Sequence, residues 1–386
     1  MAAPVTVRKV ESRQDFRAFF EFPWTLYRDD PHWVPPLLSM RRDLLDKRRN
    51  PAWAEYMEGD YFAAWRGDQI VGTIVAFINH RHNQFHQEHI GWFGMFEVYD
   101  DQEAASALLD AAADWVRARG YEAIRGPQTF TTHEECGILV DGFVRPVLLM
   151  PYNFPYYGRL VEAAGFVKAQ DLYSFHLSRQ GALEHKTGDR LARLTQAVMK
   201  RNKITVRKID RRNLKAEFQL FKDIYNAAWD RNWGFVPMTA RELDALVHSL
   251  GQFFDPDLAF FAEVNGDPAG FILAIPDFNQ VLHRVHPRPG VPEWWSLLHA
   301  LWHWKVRPII DTARIPLMGV KDAYHNTGAA AVLYYYVLEA LLSTSYVMHS
   351  DSGWILESNE NMVSIALSFG STIYKTHRIY EKRFDR

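Results

Sequence analysis

Apolar positions along the chain follow two periods, and they alternate in a fixed order. FAAWRGDQIVGTIVAF at 62–77 alternates apolar and polar residues around Gly67-Asp68, a turn pair that predicts a β-hairpin. IGWFGMFEV at 90–98 is an apolar run of strand length and predicts a buried strand. A helical stripe from about 102 to 119, a strand near 121–127, a helix near 153–164 and a strand at 167–176 follow it. The second half repeats the order, with a hairpin around Gly266-Asp267 and a buried strand at 313–320. A helix over about 327–342, a strand near 346–356, a helix over 359–369 and a strand ending RIYEKRF complete it.

The repetition extends to residue identities. VTVRKV at 5–10 is answered by ITVRKI at 204–209, WVPP at 33–36 by FVPM at 235–238, and the hairpin at 62–77 by FAEVNGDPAGFILAI at 261–275. Three matches in one order point to a duplicated unit. Each copy reads as an α+β domain, a mixed and mostly antiparallel sheet flanked by helices, rather than a Rossmann alternation. The expected domains are 1–180 and 191–386, joined by the polar, Gly-bearing stretch SRQGALEHKTGDR at 178–190.

Composition narrows the function classes. The chain has 386 residues, 44 Lys plus Arg against 46 Asp plus Glu, and 48% hydrophobic residues, enough to build two cores. A net charge of −2 gives no electrostatic reason to expect nucleic acid as a partner. The single cysteine, Cys136, excludes an intrachain disulfide and any zinc site built on two thiolates. With no apolar run long enough for a signal peptide or a transmembrane segment, a cytoplasmic protein is expected.

The junctions between buried strand and following helix carry the chemistry. In MGVKDAYHNTGAAAVLYYYVLEALL, from Met318, the strand ends at Val320 and Asn326 or Thr327 is placed to cap a helix that opens Gly328-Ala329-Ala330. Small residues there leave backbone N–H groups open to an anion, which the helix dipole also favours, so a phosphate is the natural ligand beside the plain capping role. The matching junction of the first repeat, VYDDQEAASALLDAA from Val98, puts Asp100, Asp101 and Glu103 at its start. A phosphate about 4 Å from one such carboxylate meets a repulsion of about 4 kcal/mol at an effective dielectric of 20, against about 1 kcal/mol from the dipole. The first repeat is therefore expected not to bind a phosphorylated cofactor at this junction, and the second to bind one.

At these residues the sequence resembles the GNAT superfamily of acyl-CoA-dependent N-acyltransferases, in a tandem arrangement covering both halves. The family's pyrophosphate loop is matched by His325, Asn326, Thr327, Gly328, Ala329 and Ala330, with His325 departing from the usual Gln or Arg. Asn359 through Gly370 resembles the family's second signature, an Asn-opened helix ending in Gly, and NFPYYGRLVEAAGF at 153–166 looks like a variant of it. The resemblance implies acetyl-CoA or another acyl-CoA as co-substrate, no metal, and an amine of a small molecule or peptide as acceptor. It further implies a splayed strand pair holding the pantetheine arm, with a backbone amide at Gly319 or Val320 as oxyanion donor. Glu357 is the candidate base. The family's frequent Tyr acid falls on Ala366, with Tyr374 and Tyr380 off its spacing, and this departure leaves a catalytically silent ligand-binding module as the second reading. A long-chain acyl or aminoacyl transferase is the third.

Four further features invite chemistry. Glu97, ending the first-half strand beside Tyr99, is a candidate contact for the substrate amine, expected at an interdomain cleft, against the plainer role of a solvated strand end. His80 and His82 would share one face of an extended hairpin as metal ligands could, although solvated imidazoles explain them as well. Cys136 beside His133 and Glu134 suggests a nucleophile, against the commoner role of a small buried hydrophobe. The insertion at about 280–312, VPEWWSLLHALWHWKVRP at its centre, surrounds a short helix with Trp and Leu that must be covered on most sides. Packing on the first domain, a lid over an acyl pocket and interfacial membrane contact are its three readings.

Overall fold

A computed structural model describes residues 3–184, 187–228, 232–251 and 254–384. The first part of the chain runs β1 (Val5–Lys9), α1 (Arg13–Leu26), α2 (Leu38–Leu45), α3 (Pro51–Glu55), β2 (Met57–Arg66), β3 (Gln69–Asn79), α4 (His80–His86), β4 (Ile90–Val98), α5 (Gln102–Arg117), β5 (Ala123–Gly126), β6 (Ile138–Asp141), α6 (Tyr157–Ala163) and β7 (Val167–Ser178). It continues through α7 (Arg179–Glu184), α8 (Thr187–Asn202), β8 (Ile204–Lys208), α9 (Leu214–Ala228), α10 (Ala240–Gly251), β9 (Ala259–Val264), β10 (Asp267–Pro276), α11 (Asn279–Val285) and α12 (Glu293–Leu301). β11 (Thr312–Val320), α13 (Ala329–Ser343), β12 (His349–Leu356), α14 (Glu360–Ser368) and β13 (Thr372–Arg383) complete it. The elements read from the hydrophobic pattern are present within a few residues, as an α+β fold with a mostly antiparallel sheet.

The chain packs as two compact units. One comprises Met1–Leu172, Leu282–Val306 and Lys375–Arg386, and the other Tyr173–Val281 and Arg307–Tyr374. In the first, β1, β2, β3 and β4 follow one another antiparallel, β4 pairs parallel with β5, and β5 and β6 pair antiparallel with β13. In the second, β8, β9, β10 and β11 follow antiparallel and β11 pairs parallel with β12. A parallel step falls at the same place in both, after the strand that precedes the candidate cofactor loop.

Both units bend that strand. The β3–β4 register slips between Thr73/Glu97 and Val75/Gly94, and the β10–β11 register between Leu273/Leu317 and Ile275/Arg314. In each case the slip puts an extra residue on the strand leading to the loop, a β-bulge that re-aims its end. Met95, inside the first bulge, has φ +47, and its carbonyl accepts from the Thr73 hydroxyl at 3.2 Å.

Each unit buries one face of the helix after the bulged strand. On α5 the stripe Ala104, Ala105, Leu108, Leu109, Ala112, Ala113 and Val116 follows the helical period and lies in the core of the first unit. On α13, Val332, Leu333, Val337, Leu338 and Leu341 do the same for the second. Full burial of one such Leu stabilises by about 1.5–3 kcal/mol, so these helices are held by packing and their N-terminal turns stand where the strands aim them.

Three expectations are corrected. The expected linker stretch 178–190 carries helix in place of loop: Arg179–Glu184 and the residues from Thr187 are helical, with His185 and Lys186 outside the described residues. His80–His86 forms α4 and not a hairpin, because Asn79 caps it by accepting from the His82 amide at 2.9 Å. The apolar helix of the insertion is not covered: α12 buries only Ser296 and Ala300, while Trp294 is 61% exposed and Leu298 52%.

Candidate functional site

The second unit builds its site from β11, β12 and the start of α13. The parallel ladder joins Thr312–Ile315 to His349–Ser352 and stops there, although β11 runs on to Val320 and β12 to Leu356. β11 stays paired with β10 up to Gly270 and Val320, so the strands part on the β12 side only. The Lys321 amide donates to Ala269 O at 2.8 Å, so strand alternation turns the Gly319 amide the same way and that of Val320 to the parted side. Of the two expected oxyanion donors, Val320 has the orientation and Gly319 does not.

Beyond Val320 the chain makes a short 3₁₀ turn over Asp322–Thr327, then Gly328 at φ +84 sets the direction of α13. Neither Asn326 nor Thr327 is the cap residue itself; Gly328 holds that position without a side-chain bond. Thr327 Oγ1 still accepts from the Ala329 amide at 3.3 Å and donates to Tyr324 O at 2.6 Å. His325 Nε2 meets Val320 O at 2.7 Å, which ties the loop to the strand end. Asn202 Nδ2 donates to Thr327 O at 2.8 Å and Val198 lies beside Gly328, so α8 braces the other side. Ala329 is buried, Ala330 is half-buried, and no acidic residue occupies the first turn.

Glu357 follows the last residue of β12, and Asn359 caps α14 by accepting from the Met362 amide at 3.2 Å. Val320 and Glu357 thus stand at the carboxyl ends of two parallel strands that have parted. Ala366 is fully buried on α14. Tyr374 donates to Asp351 Oδ2 at 2.7 Å, and Tyr380 to Glu162 Oε1 at 2.9 Å.

A polar cluster at the point of parting escaped the sequence reading. Arg314 and Asp351 face each other in the ladder, both buried, with Arg314 Nε 3.7 Å from Asp351 Oδ1 and its Nη2 donating to Gly353 O at 3.0 Å. His176 Nε2 and His349 Nδ1 lie 3.1 Å apart, and burial followed by the neighbouring His349 lowers the His176 pKa. Burial raises the Tyr374 pKa, and Asp351 adds to the rise. The available signal was an Arg inside an apolar strand opposite HSDSG, where a core strand calls for a partner charge.

The first unit treats the same positions differently. Asp101 caps α5 by accepting from the Ala104 amide at 3.1 Å, and Arg66 Nη2 bridges Asp101 at 2.6 Å and Glu103 at 2.9 Å. The Ala104 amide, a donor an anion would use, is taken by the chain's own Asp101 carboxylate. The strand end is closed as well, since the Val98 amide donates to Tyr157 Oη at 3.1 Å and Val98 O accepts from Tyr156 Oη at 2.8 Å.

Glu97 lies beside this closed end, not in solvent. Its Oε2 accepts from Tyr27 at 2.6 Å and from Tyr157 at 2.9 Å. Burial pushes its pKa up to about 7, in spite of those two hydrogen bonds and the nearby Arg41, both of which lower it. Arg41 is itself buried, donates to Phe20 O at 3.1 Å and is shifted down to about 10 by desolvation. Tyr27, Arg41 and Tyr157 could not be assigned from sequence because the C-cap of α1, α2 and α6 bring them to Glu97 on β4 from separate stretches.

The remaining candidates take structural roles. Cys136 is fully buried, its thiol bonded to carbonyl oxygens of Thr131 and Glu134, and burial raises its pKa well above the ordinary thiol value. His82 is buried against Glu88 at 2.7 Å, and Arg125 pairs with the same carboxylate, whose pKa is lowered to about 2 overall although burial, the largest influence, raises it. Among the described residues no three His, Cys, Asp or Glu are grouped to hold a metal ion, and no helix is long and apolar enough to cross a membrane.

Comparisons with known proteins follow the same lines. The family model described as Acetyltransferase (GNAT) family matches residues 17–132. Protein YghO of Escherichia coli strain K12 is 33% identical over 381 residues, covering 98% of this chain and 95% of its own. A bacterial ceramide synthase of Caulobacter vibrioides is 35% identical over 389 residues, covering 98% of both. A tandem GNAT protein from the clavulanic acid biosynthesis pathway shares the fold at a TM-score of 0.51 and 10% identity over 98% of both chains. The chain belongs to the GNAT superfamily of acyl-CoA N-acyltransferases, as a tandem member.

Proposed function

We propose that the chain transfers a long acyl group from acyl-CoA to the amine of a long-chain base, with the acyl-CoA held by the second repeat, 191–386. The observation that carries the cofactor assignment is the parted β11–β12 pair leading to the uncharged first turn of α13. The full-length likeness to a bacterial ceramide synthase supports an amine acceptor on a lipid over a peptide or small polar amine. It also favours a long acyl chain over acetyl.

In this reading the diphosphate lies against the backbone amides that open α13, over Gly328, Ala329 and Ala330, flanked by His325, Asn326, Thr327 and the Asn359-capped helix. The pantetheine arm runs between β11 and β12 to Val320, whose amide hydrogen-bonds the thioester oxygen. The neutral amine attacks the carbonyl carbon, and Val320 N–H stabilises the oxyanion of the tetrahedral intermediate. Collapse breaks the C–S bond and releases CoA thiolate, while the proton lost by the amine passes to Glu357 or through it to water. In the first repeat, 1–180, Tyr156 and Tyr157 close the strand end, and Glu97 beside that end is the candidate contact for an acceptor amine.

The test is a reaction of purified protein with sphinganine and acyl-CoAs of graded length, scored by amide product and by released thiol. The expected result is one amide formed per thiol released, rising with chain length. Free thiol without amide, or neither product at any length, would overturn the assignment. The second outcome would favour the silent ligand-binding reading that buried Ala366 supports.

A further inference from the structure

The segment Leu282–Val306 is anchored to the first unit by its polar and small residues. Trp24 Nε1 donates to Pro287 O at 2.7 Å, His283 Nε2 lies 2.9 Å from Pro31 O, and the Ser39 amide donates to Glu293 Oε2 at 2.9 Å. On α12 the buried residues are Ser296 and Ala300. A helix that inserted its apolar stripe into a core would bury the opposite set.

At 100° per residue Trp294, Trp295, Leu297, Leu298, Leu301 and Trp302 cover an arc of about 160°, and all six are at least 47% exposed. Val306, at the end of the following π-helical turn, is 61% exposed. Seven of the 18 exposed large hydrophobic residues among the described residues, with every exposed Trp, therefore lie within this one ridge. Scattered exposed apolar residues are ordinary, but a continuous ridge of this composition marks a docking surface.

The charge around the ridge selects the occupant. In a chain of net charge −2, the segment carries exposed Arg284, Arg288 and Lys305 against one carboxylate, Glu293, which is already engaged by Ser39. Trp and Leu on one arc, with exposed cations on the same segment, is the pattern of a helix lying in a lipid interface, where indole rings sit at headgroup depth. We propose that the Trp294–Val306 ridge is a monotopic membrane-docking element that seats the protein on an anionic bilayer surface. The inference rests on the exposure and charge of the ridge and stands independently of the acceptor proposed above.

The test is cosedimentation of the full-length protein with phosphatidylcholine vesicles, with and without phosphatidylglycerol, using wild type and Trp294→Ser/Trp295→Ser/Trp302→Ser. Because these side chains are exposed, the variant should keep its circular dichroism spectrum and thermal midpoint. The expected result is binding to the anionic vesicles, weakened by salt, with about a tenfold or greater loss in the variant. Quenching of tryptophan by brominated lipid should report rings in the headgroup region and vanish in the variant. Wild type that stays in the supernatant with both vesicles overturns the proposal. So does a wild-type dimer that the substitutions dissociate without any change in vesicle binding, since the ridge would then be covered by a second copy.

Discussion

Tyr157 Oη lies 3.1 Å from the Val98 amide, the group that in the first repeat corresponds to the Val320 amide of the second. The same hydroxyl donates to Glu97 at 2.9 Å. Duplication has therefore left two strand ends with opposite fates. One is closed by the chain's own tyrosines, while the other turns its amide toward a parted strand.

Glu97 makes stability depend on pH. Its carboxyl has a pKa of about 7 in the folded chain against an ordinary value of 4.5, so the folded state binds the proton more tightly. The stabilisation is complete below pH 4.5 and declines as pH rises to about 7, by about 3 kcal/mol at most. Glu97→Gln should flatten this decline between pH 5 and 8, as measured by urea unfolding across the range. Equal slopes for wild type and variant would mean that the carboxylate is not buried as described.

Tyr157→Phe removes the hydroxyl that serves both Val98 and Glu97. The loss should destabilise the fold by about 1–3 kcal/mol and move the Glu97 titration upward, because that hydroxyl holds the carboxylate form. Thermal unfolding at pH 5 and pH 8 reads both effects. An unchanged midpoint at both values would contradict the closed strand end.

Cys136 should be inert. Its buried thiol predicts that a thiol reagent titrates no cysteine in the native protein within minutes and one after denaturation. Cys136→Ala should leave acyl transfer unchanged. Rapid labelling of native protein, or loss of turnover in a folded variant, would return the nucleophile reading.

The parts of the fold that were legible are those with a local signal. Gly67-Asp68 marked its hairpin, and the runs ending at Val98 and Val320 marked two buried strands to within a residue. Asp101 and Glu103 in one repeat against Gly328 and Ala330 in the other distinguish the two helix starts from sequence alone. Long-range constellations were not legible: Glu97 meets Tyr27 and Tyr157 across 70 and 60 residues, and nothing in EVYDD foretells either. In the Trp-rich insertion, apolar composition does not imply coverage. Ser296 and Ala300, the only small residues on α12, mark its buried face.

The central claim is that acyl-CoA binds at the N-terminal turn of α13. Gly328→Asp is a poor probe, since that residue has φ +84 and any Cβ would stand 2.8 Å from Val198. Ala330→Asp is better, because a carboxylate in a first turn favours the helix while repelling a phosphate. The decisive measurement is calorimetric titration of CoA and lauroyl-CoA into wild type, Ala330→Asp and the first-repeat control Glu103→Gln. Wild type and control should bind alike, with at least about a tenfold loss in Ala330→Asp, as expected for about 1.4 kcal/mol or more of added repulsion. Undiminished binding to a folded Ala330→Asp would contradict the claim.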